Sequence, residues 1–157
     1  MDTARQLLRH AVATLAYRAS KPLRDAPEHF CKFRPAEGAR TAVEILAHMG
    51  DLFDWALSSV QGQERWHSSE PQPWREETER FFAALEAFDA YLASDAPMHA
   101  TADALFQGPI ADALTHIGQL SLMRRLAAAP VRAENYYVAK VTVGVVGAEQ
   151  PAPVYEF

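Results

Sequence analysis

The chain has 157 residues, of which 49% are apolar, and this is enough for one compact domain with a full hydrophobic core. Its formal net charge is −5 and it has no run of basic residues, which argues against a nucleic-acid-binding protein. The single cysteine, Cys31, excludes an internal disulfide and a thiolate-rich zinc site, so we expect a cytoplasmic protein. We expect no membrane segment, because no apolar stretch has the length needed to cross a bilayer.

Apolar residues recur at helical spacing along the first four-fifths of the chain and predict four helices. We place these at about residues 3–20, 42–60, 73–94 and 109–128, with a loop over 24–40. Pro22 is compatible with the end of the first helix, and Pro109 suits the first turn of the last. Thr41 and Glu44 form a capping-box pattern that marks the start of the second helix. A long polar connection separates the second and third helices, which permits the two to run parallel.

The chain changes character after residue 130. Four valines favour a strand, whereas two glycines and two prolines disfavour a long helix: Val138, Val141, Val143, Val145, Gly144, Gly147, Pro151 and Pro153. We predict an extended tail over about residues 131–157, packed on the helices and containing at most one short strand. The predicted fold is all-α: a single domain over 1–157, formed by a four-helix bundle (about 3–130) in up-down-down-up order and the tail.

Two of the predicted helices carry residues that can bind a metal ion. Asp112 and His116 are four residues apart in the last helix, so both project from one face and can hold the same ion. His48 lies on the apolar stripe of the second helix and must reach that ion from a facing helix. Two imidazoles and a carboxylate can hold a divalent metal and leave coordination positions open.

Each of these residues also has a purely structural interpretation. A lone histidine on an apolar helix face is usually a core residue bonded to a carbonyl. Asp112 lies in the first turn of its helix, where the helix dipole stabilises an acid, and His116 can simply pair with it. Gln119 can orient a ligand, or it can simply be a polar residue near the mouth of the bundle. Asp51 and Asp54 can be partners of a ligand or act as a general base, but exposed acids explain them equally well.

Other residues of these types are weaker candidates for a functional site. Arg124 and Arg125 are expected at the basic end of the last helix, where cations favour the dipole. The remaining histidines show no ligand spacing: His10, His29, His67 and His99.

The segments RTAVEILAHMGDL, DALTHIGQLSLMRR and ENYYVAK resemble the DinB/YfiT-like family of metalloenzymes. The resemblance implies a four-helix bundle with a histidine on the second helix and two ligands one turn apart on the fourth, and a homodimer fits the family. The family places a histidine where this chain has Asp112. Carried over residue by residue, the resemblance implies His48, Asp112 and His116 as ligands of Zn, Ni, Fe or Mn, with room left for water or substrate.

The chemistry of such a site is broad, because a metal with an open position can polarise a carbonyl, lower the pKa of water or hold a thiolate. Characterised relatives, as the resemblance implies, include metal-dependent transferases and isomerases that use low-molecular-weight thiols. We therefore predict a metal-dependent enzyme of small molecules, either a thiol-dependent transferase or a hydrolase. The alternative is a non-catalytic, stress-related metal-binding protein whose helical bundle mainly dimerises.

Overall fold

Helices form the regular structure of the chain. The computed structural model describes residues 2–157, with α1 (Thr3–Leu23), α2 (Glu28–Cys31), α3 (Ala42–Val60), α4 (Trp74–Ala93), α5 (Ala102–Leu105) and α6 (Ala111–Leu126). A π-helical turn, Phe106–Ile110, joins α5 to α6, and a 3-10 turn, Tyr136–Val138, lies in the C-terminal segment. No residue in 2–157 belongs to a β-strand, so the all-helical fold class is confirmed. Within the same range, none of the helices combines the length and the apolar character that a membrane span requires.

The capping box at the start of α3 forms as predicted. The Glu44 amide donates to the Thr41 hydroxyl at 3.3 Å, and the Thr41 amide donates to the Glu44 carboxylate at 2.6 Å. Both interactions satisfy amides that have no partner within the helix. They fix the first turn of the helix that carries His48, whose predicted bounds agree with those of α3.

The first helix continues beyond its predicted end. Pro22 lies inside α1, which ends at Leu23. Buried Arg124 stabilises this end, because its Nη1 donates to the carbonyls of Pro22 at 3.2 Å and Arg24 at 3.4 Å. Arg124 was expected only to interact with the dipole of its own helix. Its side chain also binds the C-terminal carbonyls of α1, which have no partner within that helix.

The predicted start of the last helix and the predicted 24–40 loop need correction. The helical run before α6 begins at Ala102, and Pro109 lies within the π turn rather than in a first helical turn. A proline cannot donate the usual i→i−4 hydrogen bond, and a π turn accommodates such a break within a continuous helical path. The predicted 24–40 loop contains α2, whose Phe30 is fully buried.

No β-strand forms among residues 131–157, the segment for which at most one short strand was considered. A single antiparallel bridge pairs Glu134 with Glu156. The Asn135 amide donates to the Tyr155 carbonyl, and the Phe157 amide donates to the Ala133 carbonyl, each at 3.0 Å. The valines at 138–145 have no partner strand, so their β propensity produces no ladder.

The four long helices share one apolar core. Both α1 and α3 lie against α4 and α6. The ring of Phe53 in α3 packs on the rings of Phe81 and Phe88 in α4, with centroids 6.2 and 5.8 Å apart. The largest side chains with almost no exposure come from all four long helices, α2 and the α5–π segment: Phe30, Phe53, Phe81, Phe88, Leu15, Leu46, Met49, Leu85, Leu92, Leu105, Ile110 and Leu120.

Polar contacts give the relative directions of α3 and α4, which run parallel. Near their starts, Arg80 Nη2 donates to the Ala47 carbonyl at 2.6 Å. Near their ends, the His99 amide just beyond α4 donates to the Val60 carbonyl at 3.0 Å. The connection between these helices must therefore return along the length of the molecule.

The α3–α6 and α1–α4 pairs run antiparallel, whereas α1 and α6 run parallel, since Arg124 near the end of α6 binds the Pro22 carbonyl at the end of α1. Trp55, late in α3, lies beside Gly108, whereas His48, earlier in α3, faces residues further along the chain in α6. Arg5, at the start of α1, donates to the Ser94 carbonyl just after α4, at 2.8 Å. This arrangement brings the middle of α3 against the first turns of α6.

Candidate metal centre

The three predicted ligands lie together between α3 and α6. The Nε2 atoms of His48 and His116 each lie 3.4 Å from an oxygen of Asp112. One ligand atom from each residue lies within 4.8 Å of the other two. The His48 and His116 side chains are 18% and 11% exposed, and that of Asp112 is 45% exposed. The cluster therefore has two sheltered imidazoles and a carboxylate on its open side.

The spacing of these atoms suits a shared ion better than direct hydrogen bonds. A nitrogen–oxygen distance of 3.4 Å exceeds the usual range of about 2.7–3.2 Å for such bonds. Two ligands of a tetrahedral ion with bonds of about 2.0–2.1 Å are separated by about 3.3–3.4 Å. Each nitrogen–oxygen distance thus matches that between two adjacent ligands of a divalent cation, with His48 facing one oxygen of Asp112 and His116 facing the other.

A neighbouring amide fixes the orientation of His116. Its Nδ1 donates to Gln119 Oε1 at 2.8 Å, so Nε2 of the neutral ring carries the lone pair and faces Asp112. A lone pair opposite a carboxylate oxygen is repulsive unless a cation or proton lies between them. Gln119, three residues after His116 in α6, thus orients the ring so that Nε2 is available to a cation, which is one of the two roles that the sequence allowed for it.

The electrostatic surroundings keep His48 neutral. Burial lowers the pKa of His48 below its ordinary value, and the positive charge of Arg40 acts in the same direction. The nearby carboxylate of Asp112 opposes this shift without cancelling it. A neutral imidazole is the form that binds metal, so the site favours the required protonation state.

Trp66 adds an aromatic wall that the sequence did not predict. It lies in the connection between α3 and α4, with its ring centroid 5.7 Å from that of His48 and 6.0 Å from that of Trp55. The indole is half exposed, with 49% of its surface accessible. The sequence feature that could have indicated the contact with His48 is a tryptophan in an otherwise polar connection.

Two cavities adjoin the cluster. An apolar cavity of about 400 Å³ has His116 in its wall, and a polar cavity of about 390 Å³ has His48 in its wall. Both volumes fall within the range of about 300–1,000 Å³ typical of small-molecule sites. Ala39 and Arg40 line both cavities. The cluster is therefore accessible to small molecules from two sides.

A second group of potential ligands consists of Asp51, Asp54 and His67, and Asp51 lines the polar cavity together with His48. An arginine already neutralises its acids, because Arg80 Nη1 lies 3.0 Å from Asp51 and 3.3 Å from Asp54. The amide and hydroxyl of Ser69 also donate to Asp51, at 2.9 and 2.7 Å. We therefore interpret this group as an ion-pair network that holds the connection between α3 and α4. Neither acid bonds to a predicted ligand.

No known protein family, curated protein or solved structure matches the chain. The predicted site residues His48, Asp112 and His116 do come together in space, whereas Asp51 and Asp54 turn to Arg80. The assignment of a function therefore depends on the geometry and chemistry of this centre.

Proposed function

We propose that the chain is a metal-dependent enzyme of small molecules, with His48, Asp112 and His116 as ligands of a divalent transition metal. The observation that carries the proposal is the convergence of two imidazole nitrogens on the two oxygens of one carboxylate, each nitrogen–oxygen distance being 3.4 Å, beside cavities of small-molecule size. Zn, Ni, Fe and Mn all accept this combination of imidazole and carboxylate ligands.

The packing of the helices supports a DinB/YfiT-like four-helix bundle as the framework. Each of α1 and α3 contacts both α4 and α6, so the four helices form a closed ring of neighbours. The parallel α3–α4 pair and the two antiparallel pairs described above agree with an up-down-down-up order and a long crossover. Membership of that family is part of the proposal, and it explains why the ligands lie on α3 and α6.

The surroundings of the cluster favour a reaction between two small molecules. When bound, a divalent metal supplies a Lewis acid that polarises a carbonyl or lowers the pKa of a thiol. The chain contributes Gln119 to orient His116, and Trp66 to cover His48 from solvent. Separate apolar and polar cavities provide space for two reactants, so we favour a thiol-dependent transferase over a hydrolase.

Calorimetric titration of zinc into the metal-free protein tests the ligand set. We expect one zinc per chain in the wild type and a large loss of affinity in His48→Ala and His116→Ala. The matched control is His67→Ala, which removes a histidine of the second group and should bind zinc as the wild type does. Equal affinity in His116→Ala and the wild type would exclude the proposed centre.

An activity assay separates the enzymatic proposal from the non-catalytic alternative. In one assay the metal-loaded protein is incubated with p-nitrophenyl acetate alone. In a second assay it is incubated with chlorodinitrobenzene and cysteine together. We expect metal-dependent turnover that requires the thiol and disappears in His116→Ala. Zinc binding without turnover in either assay would favour the alternative, a metal-binding protein without catalysis.

The homodimer implied by the family resemblance stays a prediction. Three aromatic side chains of the C-terminal segment are strongly exposed and offer an apolar surface: Tyr137, Tyr155 and Phe157. Sedimentation equilibrium of the wild type and of Tyr137→Ser measures the association directly. We expect a dimer for the wild type, and a monomer at all concentrations would contradict the prediction.

A further inference from the structure

The apolar cavity beside His116 has a composition that indicates what it binds. Its wall is formed mainly by aliphatic side chains of α3 and α6, among them Ile45, Leu122, Met123 and Leu126. Ile45 and Met123 are buried at its base, whereas Leu122 and Leu126 are 52% and 57% exposed. Half-exposed leucines around a cavity are covered when an apolar ligand fills it, which lowers the apolar surface in contact with water.

One charged side chain lines this cavity. Arg40 precedes the Thr41 cap of α3 and lines both the apolar and the polar cavity. Neighbouring arginines are engaged, since Arg34 lies 3.4 Å from Glu44 and Arg80 lies 3.0 Å from Asp51. Arg40 has no ion-pair partner among residues 2–157. Its guanidinium is therefore free to bind an anionic group from solution.

We propose that the apolar cavity binds a small carboxylate with an aliphatic or aromatic body, whose acid group pairs with Arg40. The body of the ligand then lies between α3 and α6, against Ile45 and Met123 and beside His116. A volume of about 400 Å³ limits the ligand to a small molecule. The proposal rests on the proposed function in assigning this carboxylate as the substrate that reacts at the centre, but its binding requires no metal.

Isothermal titration with octanoate tests the role of Arg40. The titration uses metal-free and zinc-loaded protein, so a failure of the metal centre and a failure of the carboxylate site are distinguishable. Octanoate should bind both preparations of the wild type, and the uncharged octanamide should bind more weakly. Arg40→Gln should weaken octanoate binding by about tenfold or more, since it removes a charge-assisted hydrogen bond. Arg75→Gln, which removes an exposed arginine outside both cavities, should leave the affinity unchanged.

A second pair of variants tests the location of the site. Leu122→Glu places a negative charge at the cavity rim and should weaken octanoate binding by electrostatic repulsion. Leu7→Glu makes the same change on α1, where Leu7 is 65% exposed and lines neither cavity, and should have no effect. The proposal is overturned if octanoate shows no saturable binding to the wild type, or if Arg40→Gln and Leu122→Glu both bind it with wild-type affinity.

Discussion

At the scale of single residues, the ligand set depends on which atoms of the imidazoles are free. Gln119 occupies Nδ1 of His116, and this leaves Nε2 directed at Asp112. Burial and nearby positive charge keep His48 neutral. The half-exposed carboxylate of Asp112 completes the cluster on its open side. The protein thus prepares the three donor atoms for a cation through contacts outside the ligands themselves.

Gln119→Leu tests this preparation. The variant removes the acceptor for His116 Nδ1, so the ring is free to rotate and to change its tautomer. We expect zinc affinity to fall by about 10–100-fold, measured by calorimetric titration. Gln119→Glu retains an acceptor and should keep high affinity. Unchanged affinity in Gln119→Leu would show that the hydrogen bond does not orient the ligand.

The sequence predicted the three residues that cluster, and Gln119 as a residue that can orient one of them, but it did not predict Trp66 or Arg40. Asp112 and His116 could be paired because a separation of four places them on one helix face, which is a local property. Trp66 and Arg40 lie outside the helices, and their distance from the centre depends on how the α3–α4 connection and the segment before α3 fold back. Asp51 was a candidate partner of a ligand, but in the structure it pairs with Arg80. Which of these partners it meets depends on the register between α3 and α4.

At the scale of elements, the helix ends explain where the predicted boundaries agree with the structure. The start of α3 is determined by Thr41 and Glu44, three residues apart, so it could be predicted from adjacent residues. The end of α1 depends on Arg124, which is about a hundred positions away in sequence and donates to the Pro22 carbonyl. The start of the last helical run depends on a π turn around Pro109, which helical periodicity does not reveal.

Arg124→Met tests the contact between α6 and the end of α1. The variant keeps a long apolar side chain but leaves the carbonyls of Pro22 and Ala129 without their donor. We expect a loss of about 1–3 kcal/mol in the free energy of unfolding, measured by urea denaturation. Arg125→Met changes the adjacent, exposed arginine and is the matched control. Equal stability of the two variants would contradict a capping role for Arg124.

At the scale of the whole molecule, a buried ion-pair network connects the core to the α3–α4 connection. Arg80 lies between the carboxylates of Asp51 and Glu77, whose side chains are 3% and 0% exposed. The amides of Ser69 and Gln72 in the connection donate to these same two carboxylates. The network therefore fixes the segment that places Trp66 against His48.

Gly50 makes the position of this arginine possible. A Cβ atom at residue 50 would lie 2.7 Å from Arg80 Cζ, closer than side-chain atoms approach one another. The missing side chain lets the guanidinium lie against α3 and reach the Ala47 carbonyl. The position of the Arg80 guanidinium against α3 thus depends on the absence of a side chain at residue 50.

Arg80→Met tests whether the network supports the centre. The variant leaves two buried carboxylates without their cation, and we expect a loss of about 3–5 kcal/mol in the free energy of unfolding. In conditions where the variant is folded, zinc affinity should also decrease, because Trp66 and the connection lose their anchor. Arg75→Met, which breaks the exposed pair with Glu79, should change neither quantity. Wild-type stability in Arg80→Met would contradict the role given to the network.

The C-terminal segment shows the limit of prediction at this scale. Its valines favoured a strand, but the segment is fixed instead by Glu134, whose buried carboxylate accepts from the Tyr17 hydroxyl at 2.6 Å. Lys21 Nζ lies 2.8 Å from the same carboxylate. A buried acid with partners in α1 cannot be recognised from neighbouring residues, whereas the helical character of the rest of the chain follows from its periodicity.

The most direct test of the metal centre is an anomalous difference map at the zinc absorption edge, from crystals of the protein grown with zinc. We predict one strong peak per chain between His48, Asp112 and His116, about 2.0–2.2 Å from the ligand atom of each residue. No peak at this position, or a sole peak at the group formed by Asp51, Asp54 and His67, would contradict the proposed centre.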